Sequence, residues 1–349
     1  MTQPPSFDED RFIALLAPVL ERLIGGSGAP QVLGRISGNI NRVLELGYAG
    51  RRLGARITVD ARHFRYERDV IKEVLAVLLL SYGSGSIGDA TLRRIVDGAL
   101  SSPVGKHVGH AWVRPILYYD WSCTEFPCPF FLFEWIDGDA LWRVPTPERY
   151  AQAGVELARL HRLGFENFYQ DLFAIDRHAQ DWQQRFRTAW EHELAEAAPR
   201  LPPELLLRLG AVDLDAIPAG RPCLVHNDYS GANILVAPEG LKVIDWDNWV
   251  VDCPELDMVK MKYWTALDAD GRLVHDAGLY QAFRDGYDGA AAEPIHPARL
   301  AAYERLWLLR TFNFESSRGP AAPTHTETVP SWRAAYPGPG AYLDFLTRV

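Results

Sequence analysis

The chain has 349 residues, 48% hydrophobic and 23% charged, a composition that excludes disordered and fibrous classes and a length that predicts two lobes. Its net charge of −9 argues against nucleic acid as the main partner and leaves room for a cationic ligand. A cytoplasmic location without membrane contact is expected: MTQPPSFDEDRF lacks a basic segment followed by an apolar one, and the longest apolar stretch, 70–82, is short and holds Lys72 and Glu73.

Ser6 followed by Glu9 forms a capping-box pattern, and Phe12, Ile13, Leu16, Val19, Leu20 and Leu23 recur at helical spacing until Gly25-Gly26 stops the run. Three strand-like stretches follow, 31–36, 42–48 and 55–59, parted by Gly- and Asn-containing turns, as in an antiparallel meander. From Glu67 onward Val70, Ile71, Val74 and Leu75 mark one face of a helix. Residues 81–89 predict a loop, 90–100 a short helix, and 113–119 and 129–135 two further strands.

After Asp137-Gly138 the spacing predicts helices at 148–163, 180–198, 203–209, 255–267, 278–286 and 296–312, broken by a polar stretch at 223–249. The tail beyond Gly319 is expected to be irregular until 341–346. The layout is α+β: a β-rich lobe over 1–135, with a loop-and-helix insertion near 81–108, and a mostly helical lobe over 136–349. Cys123, Cys128, Cys223 and Cys253 show no CxxC pairing, which predicts free thiols and no zinc. Lysine occurs only at Lys72, Lys106, Lys242, Lys260 and Lys262, so arginine must supply any cation needed near the amino terminus.

The polar stretch reads CLVHNDYSGANILVAPEGLKVIDWDNW. If 234–236 and 242–244 are the strands of a hairpin, the flanking loops leave at one end and Asp228, Asn233 and Asp245 converge. Two carboxylates and an amide oxygen are hard donors of the kind Mg²⁺ shares with phosphates, and a spare carboxylate can orient a hydroxyl and accept its proton. Asx residues capping turn backbone would explain one aspartate but not the set. His226 is expected to bond backbone within the loop.

The run HNDYSGANILV…VIDWDNWVVDCPELDM resembles the aminoglycoside phosphotransferase and choline kinase superfamily, whose pattern is roughly HGDxxxxNIL…IDWExxxxGDPxxDL. It is less like a protein kinase, because Trp246-Asp247 follows Asp245 where Phe-Gly would stand. The resemblance implies a protein-kinase-like bilobal fold, with 1–135 as the nucleotide-binding lobe and 136–349 carrying the catalytic loop. It implies Asp228 as catalytic base, Asn233 and Asp245 as Mg²⁺ ligands, ATP or GTP as donor, and Asp257 as a structural support of the loop.

Further residues follow from the same resemblance. The turn Ser37-Gly38-Asn39 takes the place of a phosphate-contacting loop, and Arg56, in ARITV, is the candidate cation for the phosphates, with Arg51 and Arg52 as competitors. Glu67 is the expected helix carboxylate for that cation, with Glu73 second. The stretch FFLFEWIDG resembles the family hinge, so Phe133 would border adenine, the backbone of Glu134 and Ile136 would pair with it, and Leu235 would lie beneath the ring. Trp246 and Trp264 are candidates for stacking on a sugar or cyclitol, with core packing the alternative. Asp247, Asp252, Glu255 and Asp268 are candidates for ammonium groups of a substrate.

The expected activity is ATP-dependent phosphoryl transfer to a hydroxyl of a small polar molecule, an aminoglycoside, aminocyclitol or sugar, by a monomer or homodimer. The carboxyl terminus DFLTRV lacks the acidic cluster of some aminoglycoside enzymes, so a biosynthetic sugar or amino-alcohol kinase stays open, as does a silent kinase-fold binding protein.

Overall fold

The computed structural model describes residues 7–37, 41–59, 68–82, 85–110, 113–169, 181–317 and 336–349. In chain order, α1 (Glu9–Ile24) leads to β1 (Gln31–Ser37), β2 (Asn41–Tyr48), β3 (Arg51–Thr58), α2 (Arg68–Leu80), β4 (Gly85–Ile87), α3 (Asp89–Leu100), β5 (Val104–His110), β6 (Val113–Asp120) and β7 (Phe130–Glu134). Then come β8 (Asp139–Ala140), α4 (Pro147–Leu160), β9 (Leu163–Phe165), α5 (Trp182–Ala197), α6 (Pro203–Gly210), β10 (Cys223–Val225), β11 (Ile234–Ala237) and β12 (Gly240–Val243). The remainder is β13 (Val250–Asp252), α7 (Glu255–Tyr263), β14 (Ala266–Leu267), β15 (Leu273–Val274), α8 (Ala277–Ala290), α9 (Pro297–Ser317) and α10 (Pro339–Arg348). This is an α+β protein with an antiparallel amino-terminal sheet and a helical carboxyl-terminal part.

Two compact units divide the chain: Met1–Gly83 with Ala90–Asp139 and Asn233–Trp249, and Ser84–Asp89 with Ala140–Ala232 and Val250–Val349. The hairpin Asn233–Trp249 belongs to the first unit although its sequence position lies in the helical half. The reason is parallel pairing of β12 with β6, Val243 opposite Val113.

In the first unit the sheet runs β1-β2-β3-β7-β6-β12-β11, with β5 also paired to β6. Strand alternation splits the faces of β3: Leu53, Ala55 and Ile57 enter a core with Phe12, Leu16, Val19 and Leu20 of α1, and Arg56 takes the opposite parity. The α1 cap is Asp8, whose carboxylate accepts the Arg11 N–H at 2.9 Å; Ser6 of the expected capping box lies outside the described residues. Strand β5 went unforeseen because VGKHVGH carries too little apolar alternation to mark a strand.

In the second unit β13-β10-β9-β4 form a small sheet, and the core is rich in aromatic residues, with Trp182, Phe186, Trp190, Tyr303, Trp307 and Tyr342 in one cluster. Helices α4 and α8 pack at glycines: a Cβ on Gly154 would stand 2.1 Å from the Phe283 carbonyl oxygen, and one on Gly286 2.0 Å from that of Ala151. Helix α7 ends at Tyr263, four residues before the expected end, because Thr265 turns its hydroxyl onto the Met261 and Lys262 carbonyls and the chain enters the β14–β15 hairpin. Among the described residues no helix is long and apolar enough to cross a membrane.

Candidate active site

Strand β10 pairs with β13 through Cys223–Asp252, Leu224–Val251 and Val225–Val250, and this buried strand delivers the loop that begins at His226. One carboxylate braces the start of the loop. Asp257, in the first turn of α7, accepts the backbone N–H groups of His226 at 2.8 Å and Asn227 at 2.7 Å. It also meets Nε2 of His161 at 3.2 Å, whose Nδ1 lies 2.9 Å from the Tyr287 hydroxyl. His226 is itself buried, and its Nδ1 accepts the Asp228 N–H at 3.2 Å, so this histidine shapes the turn. Asn227 sits in the left-handed region at φ 61°, strained for a non-glycine residue and tolerated because its N–H is anchored.

The Asp228 carboxylate leaves this brace partly exposed, and its Oδ1 lies 2.5 Å from Nζ of Lys260. Farther along the loop Gly231 accepts the Trp142 N–H at 3.2 Å, and a Cβ there would stand 2.9 Å from the Trp142 Cβ, so only glycine passes.

In the first unit the other two expected residues stand at one end of the β11–β12 hairpin. The Asn233 carbonyl accepts the Ile244 N–H at 2.9 Å, beyond the Ile234–Val243 pair, and Asp245 follows directly. Asp245 is left-handed at φ 66°, a second strained non-glycine residue, which turns its carboxylate out of the strand. That carboxylate is 40% exposed, and its Oδ1 lies 2.8 Å from Nη1 of Arg56.

Arg56, paired in β3 with Val43 and Phe131, is buried among carboxylates. Nη1 also donates to Glu73 of α2, and Nη2 donates to Asp247 at 2.7 Å. Glu73 accepts the Trp246 N–H as well, at 3.2 Å. Burial pulls the Arg56 pKa down, but Asp245, Asp247, Glu73 and Asp69 together push it up further, so the guanidinium is held more firmly charged than an ordinary arginine.

Gly38, Asn39 and Glu67 lie outside the described residues, and Ser37 ends β1 opposite Arg42. The α2 carboxylate that meets Arg56 is Glu73, which shares a buried helical face with Asp69 at i−4. Glu134 pairs through its backbone with Leu53 and through its side chain with Arg51, Ile136 is half-buried just past β7, and Leu235 is half-buried in β11 opposite Lys242.

Trp246, Asp247 and Glu255, expected to contact substrate, are all buried. Trp246 donates its indole N–H to Val243 at 3.1 Å and Asp247 is committed to Arg56. Glu255 has no exposed surface and receives Arg299 at 2.9 Å and the His296 N–H at 2.9 Å. Trp264 is also buried, packed against Trp307 and Tyr336 with Nζ of Lys260 5.3 Å from its ring centre. Lys260 carried no motif signal; only its place three residues after Asp257, on the same side of a helix, pointed toward the loop.

Among the described residues no group of three or more His, Cys, Asp or Glu is placed to hold a metal. The donors at the hairpin end are an amide and a partly exposed carboxylate, which fits a hard cation that keeps several waters and takes phosphate oxygens.

The profile of the phosphotransferase enzyme family matches residues 106–303, more than half of the chain. A comparison with curated proteins finds no significant match. Solved structures share the fold at low identity. A Ralstonia eutropha protein assigned to the aminoglycoside phosphotransferases is 14% identical with a TM-score of 0.61, covering 96% of this chain and 98% of that one. A choline/ethanolamine kinase family protein of Mesorhizobium loti is 18% identical with a TM-score of 0.55, covering 98% and 95%. Spectinomycin phosphotransferase, in complex with ADP and spectinomycin, is 12% identical with a TM-score of 0.54, covering 96% and 98%. With a family match over more than half of its length, the chain belongs to the phosphotransferase enzyme family.

Proposed function

We propose that this kinase transfers the γ-phosphate of ATP, presented with Mg²⁺, to a hydroxyl of a small polar acceptor of the aminoglycoside, aminocyclitol or sugar kind. The observation that carries the reading is Asp228, a partly exposed carboxylate on a loop whose backbone is pinned by Asp257. Asp228 orients the acceptor hydroxyl and takes its proton. The acceptor oxygen bonds to the γ-phosphorus as the bond to the bridging oxygen breaks, and ADP leaves. Asn233 and Asp245 are the residues that would hold Mg²⁺, which when bound neutralises phosphate charge. Arg56 fixes the orientation of Asp245 and adds positive charge for the phosphates. The likeness to spectinomycin phosphotransferase, solved with ADP and spectinomycin, supports a nucleotide donor and a small polar acceptor.

The test is nucleotide consumption with Mg²⁺ and either ATP or GTP across a panel of sugars, cyclitols and aminated cyclitols. Asp228→Ala should abolish transfer while nucleotide still binds. Full activity in that variant removes Asp228 from the mechanism, and higher turnover with GTP replaces ATP as the donor.

A further inference from the structure

Helix α7 presents three residues at one helical spacing: Asp257, Lys260 at i+3, and Trp264 at i+7, just past the helix end. Asp257 holds the loop backbone, Lys260 places its ammonium 2.5 Å from Oδ1 of Asp228, and the Trp264 ring lies under that ammonium, 5.3 Å from its centre. A lysine held from both sides in this way is a fixed positive charge beside the carboxylate that receives the acceptor hydroxyl.

Three acids of the same unit that were candidates for ammonium groups of a substrate are engaged elsewhere. Asp252 is bound to Arg185 at 2.5 Å and to the Tyr303 hydroxyl, and Glu255 to Arg299 at 2.9 Å. Asp268 closes its own turn by accepting the N–H groups of Asp270 at 2.9 Å and Arg272 at 2.8 Å. An ammonium group placed next to the reacting hydroxyl would therefore meet Lys260 and none of these three acids. Like charges brought together in a partly desolvated site penalise binding, which turns a single lysine into a filter on the acceptor.

From this arrangement we infer that the acceptor of this kinase carries no ammonium beside its reacting hydroxyl: it is a neutral or acidic polyhydroxy compound, selected against amines by Lys260. This rests on the assignment of Asp228 as the residue that receives the hydroxyl, and it narrows the acceptor class to sugars, cyclitols or their acids.

Binding and turnover separate the two claims. Glucose, glucosamine and glucuronate, and myo-inositol against 2-deoxystreptamine, are titrated calorimetrically into the protein with a non-hydrolysable ATP analogue and Mg²⁺ present. The hydroxyl or carboxylate member of a set should bind about tenfold more tightly than its amine counterpart. Lys260→Met should bring that ratio close to one, and Lys260→Arg, which keeps the charge, should preserve it. Amines binding as tightly as their counterparts, a ratio unmoved by Lys260→Met, or a panel in which no neutral or acidic member binds would each overturn the inference. Selective binding without ATP consumption would instead overturn the proposed phosphoryl transfer and leave the selectivity standing.

Discussion

Arg56 and Asp245 form an ion pair at 2.8 Å that links the centre of strand β3 to the turn after β12. The same guanidinium reaches Glu73 and Asp247, so one cation balances two buried carboxylates and the partly exposed Asp245. Removing it strands those charges, and the loss of one partner from a buried ionic cluster costs about 3–5 kcal/mol. Arg56→Met should lower stability by that amount, read as a lower urea midpoint. Arg56→Lys should lose less stability, but it gives up the planar fork and should weaken nucleotide binding about tenfold by calorimetry.

The brace on the catalytic loop makes a second expectation. Asp257→Ala leaves the buried His226 N–H and the part-buried Asn227 N–H without this acceptor and removes the partner of His161 Nε2. A cost of about 3 kcal/mol is expected from the unmet donors. Turnover should fall with it, because Asp228 then no longer has a fixed origin. Denaturant unfolding together with steady-state turnover checks both, and an active, equally stable variant would show that the loop holds its shape without Asp257.

Chelation with EDTA should abolish transfer, and added Mg²⁺ should restore it. Asp245→Asn keeps an oxygen at the hairpin end but loses the charge, so the Mg²⁺ concentration for half-maximal rate should rise by about tenfold or more. A Mg²⁺ dependence unchanged in this variant would exclude Asp245 as a ligand.

The cysteines should separate by reactivity. Burial, more than the neighbouring Cys123 and Asp120, pushes the Cys128 thiol up to about 12, and Cys223 and Cys253 are likewise buried and raised. A thiol with a raised pKa stays protonated at pH 8 and reacts slowly, since the thiolate is the nucleophile. Iodoacetamide at pH 8 should label exposed Cys123 first, and the other three only after unfolding, as read by peptide mass spectrometry.

What this sequence determined by itself is local. The helix of residues 9–24, the three-strand meander and the hairpin around residues 234–243 all follow from spacing within a few residues, and with the hairpin came the nearness of Asn233 and Asp245. Arg56 came from the resemblance of ARITV to the family strand, with no lysine before Lys72 and with Arg51 and Arg52 as competitors.

Only the tertiary structure decided which charges meet. Glu73 meets Arg56 across 17 positions; Asp247 reaches Arg56 across 191; and Lys260 faces Asp228 across 32. An acidic residue in a sequence carries the same composition signal whether it is to bind an ammonium ligand or be buried against an arginine. The difference is made by chain crossings and strand pairings that bring distant residues together, such as Val243 beside Val113, and a window of neighbouring residues holds no record of them.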